Sequence, residues 1–125
     1  MVEKTELKKY EREITPIERL FTWSPFSTVT TVVRIKGDVS GSALRNAVVK
    51  AQHRHPNLRV RIIQDENGDS WFTSEGAGEI PVEIVPRESA DQWIKIVQES
   101  CRVPFEFDKQ PAVRFILVKS ADVSE

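Results

Sequence analysis

Apolar and polar positions along this 125-residue chain switch repeatedly between a helical and a strand period. Ile17, Leu20 and Phe21 recur three and four apart, between Thr15-Pro16 and Ser24-Pro25. Thr15 with Glu18 three residues later forms a capping box and Pro16 suits a first helical position, so a short helix is predicted there. Residues 28–36 are dense in Val and Thr and predict a strand, closed by Gly37-Asp38. Ala43, Leu44, Ala47, Val48 and Ala51 line one face of a helix over 42–54, capped by Ser40 or Ser42. His53, Arg54 and His55 place positive charge beside its last carbonyls, and Pro56 forbids another turn. Leu58, Val60 and Ile62 then alternate with Asn57, Arg59 and Arg61, which predicts a strand over 57–64 with one face in a core.

Asn67-Gly68 is the strongest hairpin signal in the chain and predicts that residues 70–73, carrying Trp71 and Phe72, return antiparallel. Gly76 and Gly78 mark a loop, and Pro81 opens a short edge strand over 81–85. Trp93, Ile94, Ile96, Val97 and Cys101 define an amphipathic helix over 90–102 behind Ser89 as its cap. A last strand is predicted over 112–118. The order predicts an α+β fold: a mostly antiparallel sheet holding the strands near 28–36, 58–64 and 112–118, with the helices 42–54 and 90–101 packed on one face. Residues 1–13 carry mixed charge and few apolar groups and read as a loosely docked lead-in; residues 14–125 read as one unit.

Composition narrows the function classes. Charged residues make up 30% of the chain, the hydrophobic set 39%, and the formal net charge is −1. Nothing therefore steers the whole chain toward nucleic acid or an anionic membrane. No apolar run approaches the ~18 residues that span a bilayer, and the charged N-terminus lacks the apolar stretch of a signal peptide. A single cysteine, Cys101, forms no internal disulfide and suits a reducing compartment. A soluble, cytoplasmic protein is expected.

Candidate chemistry is sparse. His53 and His55 sit two apart on a helix and point to different sides, with no carboxylate or cysteine at ligand spacing. They and Pro56 read as structural residues that finish the helix, and no metal site is expected. Cys101 shares an apolar stripe with Trp93, Ile94 and Val97 and reads as a buried, inert thiol. Ser40-Gly41-Ser42 and Gly76-Ala77-Gly78 are too short for phosphate loops. Arg59 reads, in the plainest view, as a solvated charge on the open face of a strand.

The run Arg54-His55-Pro56-Asn57-Leu58-Arg59 resembles the second sequence motif (RHxxLR) of the condensation and CoA-dependent acyltransferase superfamily, which includes chloramphenicol acetyltransferase. Thr15-Pro16-Ile17-Glu18-Arg19-Leu20-Phe21 is similar to the family's first motif, and Ser42-Ala43-Leu44 with Ala47 to the helix before the second. Residues 105–114, Phe105-Glu106-Phe107-Asp108 through Pro111-Ala112-Val113-Arg114, resemble its "PFDL…PLLR" approach to a core strand. The four segments occur in the family's order between residues 14 and 118.

The resemblance implies the N-terminal half of a chloramphenicol acetyltransferase-like domain. It implies acyl transfer from a thioester, carried by CoA or a carrier protein as co-substrate, to a hydroxyl or amine. The family's catalytic His-His-x-x-x-Asp-Gly motif has no counterpart in this sequence, whose histidines are His53 and His55. No catalytic residue is thus expected here, and no cofactor is expected to be bound. The chain reads as a fragment whose partner is the remainder of the domain, inactive alone. For Arg59 the resemblance implies a second reading, in which its planar fork grips the catalytic motif's aspartate. A fragment cut there is expected to bare the 112–118 strand edge and to pair as a homodimer. A stand-alone ferredoxin-like α+β module that binds a protein or ligand is the alternative, since strand, helix, hairpin, helix, strand also fits that pattern.

Overall fold

The computed structural model describes residues 9–24 and 27–125. In chain order the elements are β1 (Glu11–Glu13), α1 (Pro16–Trp23), β2 (Ile35–Lys36), α2 (Gly41–Arg54) and a 3-10 turn (Pro56–Arg59). Then come β3 (Arg61–Gln64), β4 (Ser70–Thr73), β5 (Val82–Pro86), α3 (Gln92–Ser100), β6 (Phe115–Lys119) and β7 (Val123–Ser124). The class is α+β. Among the described residues no helix is long and apolar enough to cross a membrane.

Local signals set most of these elements. Thr15 and Glu18 form the capping box, with each side chain bonded to the other's backbone N–H. Ser40 caps α2 by accepting from the Ala43 N–H, and Pro56 ends α2 one residue past its His55 cap. The β3–β4 hairpin turns where Asn67-Gly68 predicts. Gly68 adopts a φ of 82°, and Asp65 Oδ1 accepts from the backbone N–H of Asn67 and Asp69. The N-cap of α3 is Asp91, to which Ser89 donates a hydrogen bond of 2.9 Å; Ser89 does not cap the helix itself.

Two sheets replace the single one expected. β1, β4 and β3 form an antiparallel three-stranded sheet, with Arg61 opposite Thr73 and Gln64 opposite Ser70. β2, β7, β6 and β5 form the second, antiparallel except where α3 links β5 to β6 in parallel. Residues 58–64 therefore do not share a sheet with 112–118. Ferredoxin-like pairing would have placed the hairpin in one sheet with the flanking strands.

Three shorter corrections follow from pairing partners. Of residues 28–36 only Ile35 and Lys36 are strand, because β7 offers them just Val123 and Ser124; β propensity alone does not hold an extended segment. Residues 57–59 curl into the 3-10 turn, closed by Leu58 N–H to the His55 carbonyl at 3.0 Å. Glu11–Glu13, read as part of the charged lead-in, pair with β4 instead.

The helices flank the second sheet from opposite faces. Val82 and Ile84 lie in register with Phe115 and Leu117 and share their face, where Ile84 packs against Gly41 at the start of α2. Ile116 and Val118 point the other way, where Trp93, Ile96 and Val97 of α3 border the same cavity. A crossover helix must pass over one face of a parallel pair, which leaves the other for α2. The core comprises Ile14, Val48, Val60, Ile80, Leu117 and Val118. β6 lies inside its sheet: β5 covers its whole length, and on the other side Lys119 pairs with Ser124 of β7 and Val118 exchanges two bonds with Glu125 just beyond it. Only residues 115–117 of the expected open edge lack a second neighbour among the described residues.

Candidate functional site

The junction of α2 and β3 is built around Arg59. Its Nη1 donates to the carbonyls of Gln52 and His53, both at 3.0 Å, so the guanidinium closes the C-terminal end of α2. Gln52 Nε2 returns a bond of 2.9 Å to the Leu58 carbonyl. Arg59 is half-buried in the 3-10 turn, not a solvated charge on a strand. Its Nε is buried with no hydrogen-bond partner. His55 is the C-cap of α2, its N–H bonded to the Ala51 carbonyl at 2.9 Å, and Pro56 opens the turn. The His53 and His55 side chains are exposed. Among the described residues no group of three or more His, Cys, Asp or Glu could hold a metal ion.

Beside β3 opens a cleft that the sequence did not announce. It measures about 810 Å³ and is walled by Ile62 and Ile63 of β3, the 101–108 connection, and Thr22 and Thr28. Phe105 and Thr28 also line a neighbouring cavity of about 340 Å³ over α3 and β6. Cys101 borders the large cavity and is exposed, 3.7 Å from the Thr30 hydroxyl. The buried thiol expected there does not occur: Cys101, the C-cap of α3, is exposed at the open end of the helix.

Arginines fasten the irregular walls of this cleft. Arg114 lies 4.3 Å from the Phe105 ring centre and donates to the carbonyls of Ser100 and Val103. Arg61 donates to the carbonyls of Glu75 and Asp108, joining the two loops. Arg34 reaches the Ala90 carbonyl at 2.7 Å and Glu125 at 2.8 Å. The Glu125 side chain is 2% exposed, and Arg87, then Arg34, hold its carboxyl below the usual range against the cost of burial. Arg12 grips Glu18 with two bonds of 2.9 Å and stacks over Phe72. That grip, with the Thr15 N–H, lowers the Glu18 carboxyl to about 2. Sequence reasoning missed Arg34, Arg61 and Arg114 as staples. The available signal was a lone arginine inside or beside each apolar run.

The condensation-domain family matches residues 12–124. Among solved structures, the tallysomycin biosynthesis protein TlmII superposes with a TM-score of 0.57 at 21% identity, over 73% of this chain and 24% of that one. A mutant starter condensation domain of the rhizomide synthetase RzmA gives 0.56 at 17% identity, over 73% and 22%. The first condensation domain of the calcium-dependent antibiotic synthetase, bound to a substrate analogue, gives 0.56 at 13%, over 73% and 26%. At these identities the likeness establishes the fold. The chain spans about a quarter of the length of the structures it matches. Among curated proteins nothing matches it.

Proposed function

The chain belongs to the condensation-domain family, and from that premise we propose that it forms the N-terminal part of a condensation-type acyltransferase. The reaction is attack by an amine or hydroxyl on a thioester carried by CoA or a carrier protein, in the cytoplasm. A histidine general base takes the acceptor's proton as the new bond forms, and the thiol leaves. That base belongs to a His-His-x-x-x-Asp-Gly segment that has no counterpart among these residues, whose histidines, His53 and His55, stand outside any such pattern.

One observation carries the reading: the family match covers residues 12–124, nearly the whole chain. Arg59 adds support. With Nη1 engaged by α2, its buried Nε remains a donor without an acceptor, and a carboxylate such as the motif's aspartate would satisfy it. Isolated, the chain pairs as a homodimer along residues 115–117, the part of β6 open to a further strand.

The test is acyl transfer by the whole open reading frame, using acyl-CoA and acyl-carrier donors with amine and hydroxyl acceptors, read by mass spectrometry. Turnover is expected from the whole frame. No turnover is expected from residues 1–125 alone or after His55→Ala is introduced there. Turnover by the isolated chain that vanishes in His55→Ala would overturn the assignment. In the whole protein, Arg59→Lys is expected to lower kcat with little change in KM.

A further inference from the structure

We infer that residues 29–33 and β6 are the two walls of a strand slot, and that its occupant is an apolar strand running on in line with β7 into the rest of the domain. The occupant rests on the reading of this chain as the N-terminal part of a larger domain; the slot itself follows from pairing registers. β7 lies between β2 and β6 and is antiparallel to both. Ser124 stands opposite Ile35 on one side and Lys119 on the other. Just beyond it, Val118 and Glu125 exchange two backbone bonds of 2.8 and 3.1 Å. Past that point the walls run on, residues 29–33 on one side and 114–117 on the other, and no described strand separates them. Strand order sets the walls two interstrand spacings apart, about 9–10 Å, which admits one strand.

A second set of contacts agrees with the registers. Counting along the two ladders puts Val33 level with Leu117, and Thr30 level with Arg114. The Thr30 hydroxyl lies 3.7 Å from Cys101 Sγ, and Arg114 donates to the carbonyl of Ser100, the residue before it. A cavity of about 340 Å³ opens between the walls, lined by Thr30, Thr31 and Val32, by Phe115 and Ile116, and by Glu125.

Backbone groups on both walls point into the slot. In β6 the Phe115 N–H goes to the Pro81 carbonyl and the Lys119 carbonyl accepts from Arg87, both on the β5 side. By alternation Ile116 turns its N–H and carbonyl the other way, as Val118 does toward Glu125. On the facing wall Gly37 donates to the Asp122 carbonyl, and the same alternation turns Ile35, Val33 and Thr31 inward. Among the described residues Thr31 and Val33 make no hydrogen bond. A strand in line with β7 meets Val33, Ile116 and Thr31 in turn with its first three residues. One insertion thus supplies the ladder that residues 28–34 lack and the second neighbour that residues 115–117 lack. A second copy pairing along residues 115–117 would satisfy one wall only.

The walls also fix the chemistry of the occupant. Its second side chain lies beside Ile116, on the face that α3 covers with Trp93 and Ile96. Its first and third lie beside Leu117 and Phe115 on the opposite face, where Leu117 is buried. A strand covered on both faces is an unbroken apolar run rich in Val and Ile.

The test reads amide exchange residue by residue in the protein of the whole open reading frame and in the 125-residue chain. Ile62, whose N–H bonds the Phe107 carbonyl, is the internal reference. In the whole protein Thr31, Val33 and Ile116 are expected to exchange as slowly as Ile62; in the short chain they should exchange about a hundredfold faster than it does. Val33→Pro removes one slot donor, so it should lower the thermal midpoint of the whole protein by several degrees and leave that of the short chain unchanged. The amides of the whole protein decide alone if the short chain shows no cooperative melt. Exposed amides at the three positions in the whole protein overturn the inference, as does an equal effect of Val33→Pro on both proteins. Protection that disappears on dilution overturns it in favour of a second copy, and a reading frame that closes at Glu125 removes the occupant. Thioester turnover with the three amides exposed would strike the slot and leave the acyl-transfer reading standing; protection without turnover would do the reverse.

Discussion

α1 and α2 follow the same sequence logic and end with opposite sides toward solvent. In α2 the apolar position Val48 is 6% exposed, whereas Arg45, Lys50 and Arg54 are exposed. In α1 the stripe of Ile17, Leu20 and Phe21 is 70%, 72% and 64% exposed, while Glu18, Arg19 and Thr22 are half-buried. The polar side of α1 is held down by Arg12 on Glu18 and by Arg19 on Asp69. An amphipathic pattern thus specifies that a helix has two sides; what lies beside it decides which one is covered. An exposed apolar stripe of this kind fits a helix that borders a further part of a larger domain.

The largest effect should come from giving both helices the same intruder. Val48→Asp buries a carboxylate with no partner and is expected to abolish the cooperative thermal transition followed by circular dichroism. If that variant melts like the parent, the assignment of inner and outer faces is wrong.

Removing the staple at the end of α2 should cost less. Arg59→Ala releases the carbonyls of Gln52 and His53 and is expected to lower stability by about 1–3 kcal/mol in urea titrations. Arg59→Lys should recover only part of the loss, since an ammonium cannot occupy the same fork.

Next comes the N-terminal cap of α1. Thr15→Ala is expected to cost about 1 kcal/mol. The Glu18 carboxyl is depressed to about 2, so its contribution is present above the unfolded carboxylate range near 4.5 and fades as pH falls toward 2. Urea midpoints should therefore drop between pH 5 and pH 2 by more in the parent than in Glu18→Gln. Equal slopes would mean that the Arg12 grip does not persist in solution.

Smallest of all, Leu20→Asp should change stability by no more than about 0.5 kcal/mol, because the side chain already meets water. Sedimentation at micromolar concentration should show no loss of folded chain. A destabilisation as large as that of Val48→Asp would show that the α1 stripe is covered after all, and would erase the contrast between the helices.

How much was legible in the chain itself follows the range of each interaction. Thr15 with Glu18, Ser40 before α2, Pro56 after it and Asn67-Gly68 in the hairpin all act within a few residues, and each produced the element that its local chemistry dictates. The motif order that resembles the family was equally readable, because it is a property of the string. What escaped depends on groups far apart. The pairing of residues 61–64 with β4 was readable, but not that β1 would join them in a sheet separate from β6. Residues 28–34 had the propensity of a strand and, among the described residues, no strand to pair with. Arg59 looked like a strand charge until the end of α2 supplied two bare carbonyls within its reach. Caps and turns close their own hydrogen bonds, so sequence determines them. Sheet membership, the covered side of a helix and the partners of a long cation are settled only when distant backbone arrives, because the energies at stake belong to the pair and to neither residue alone.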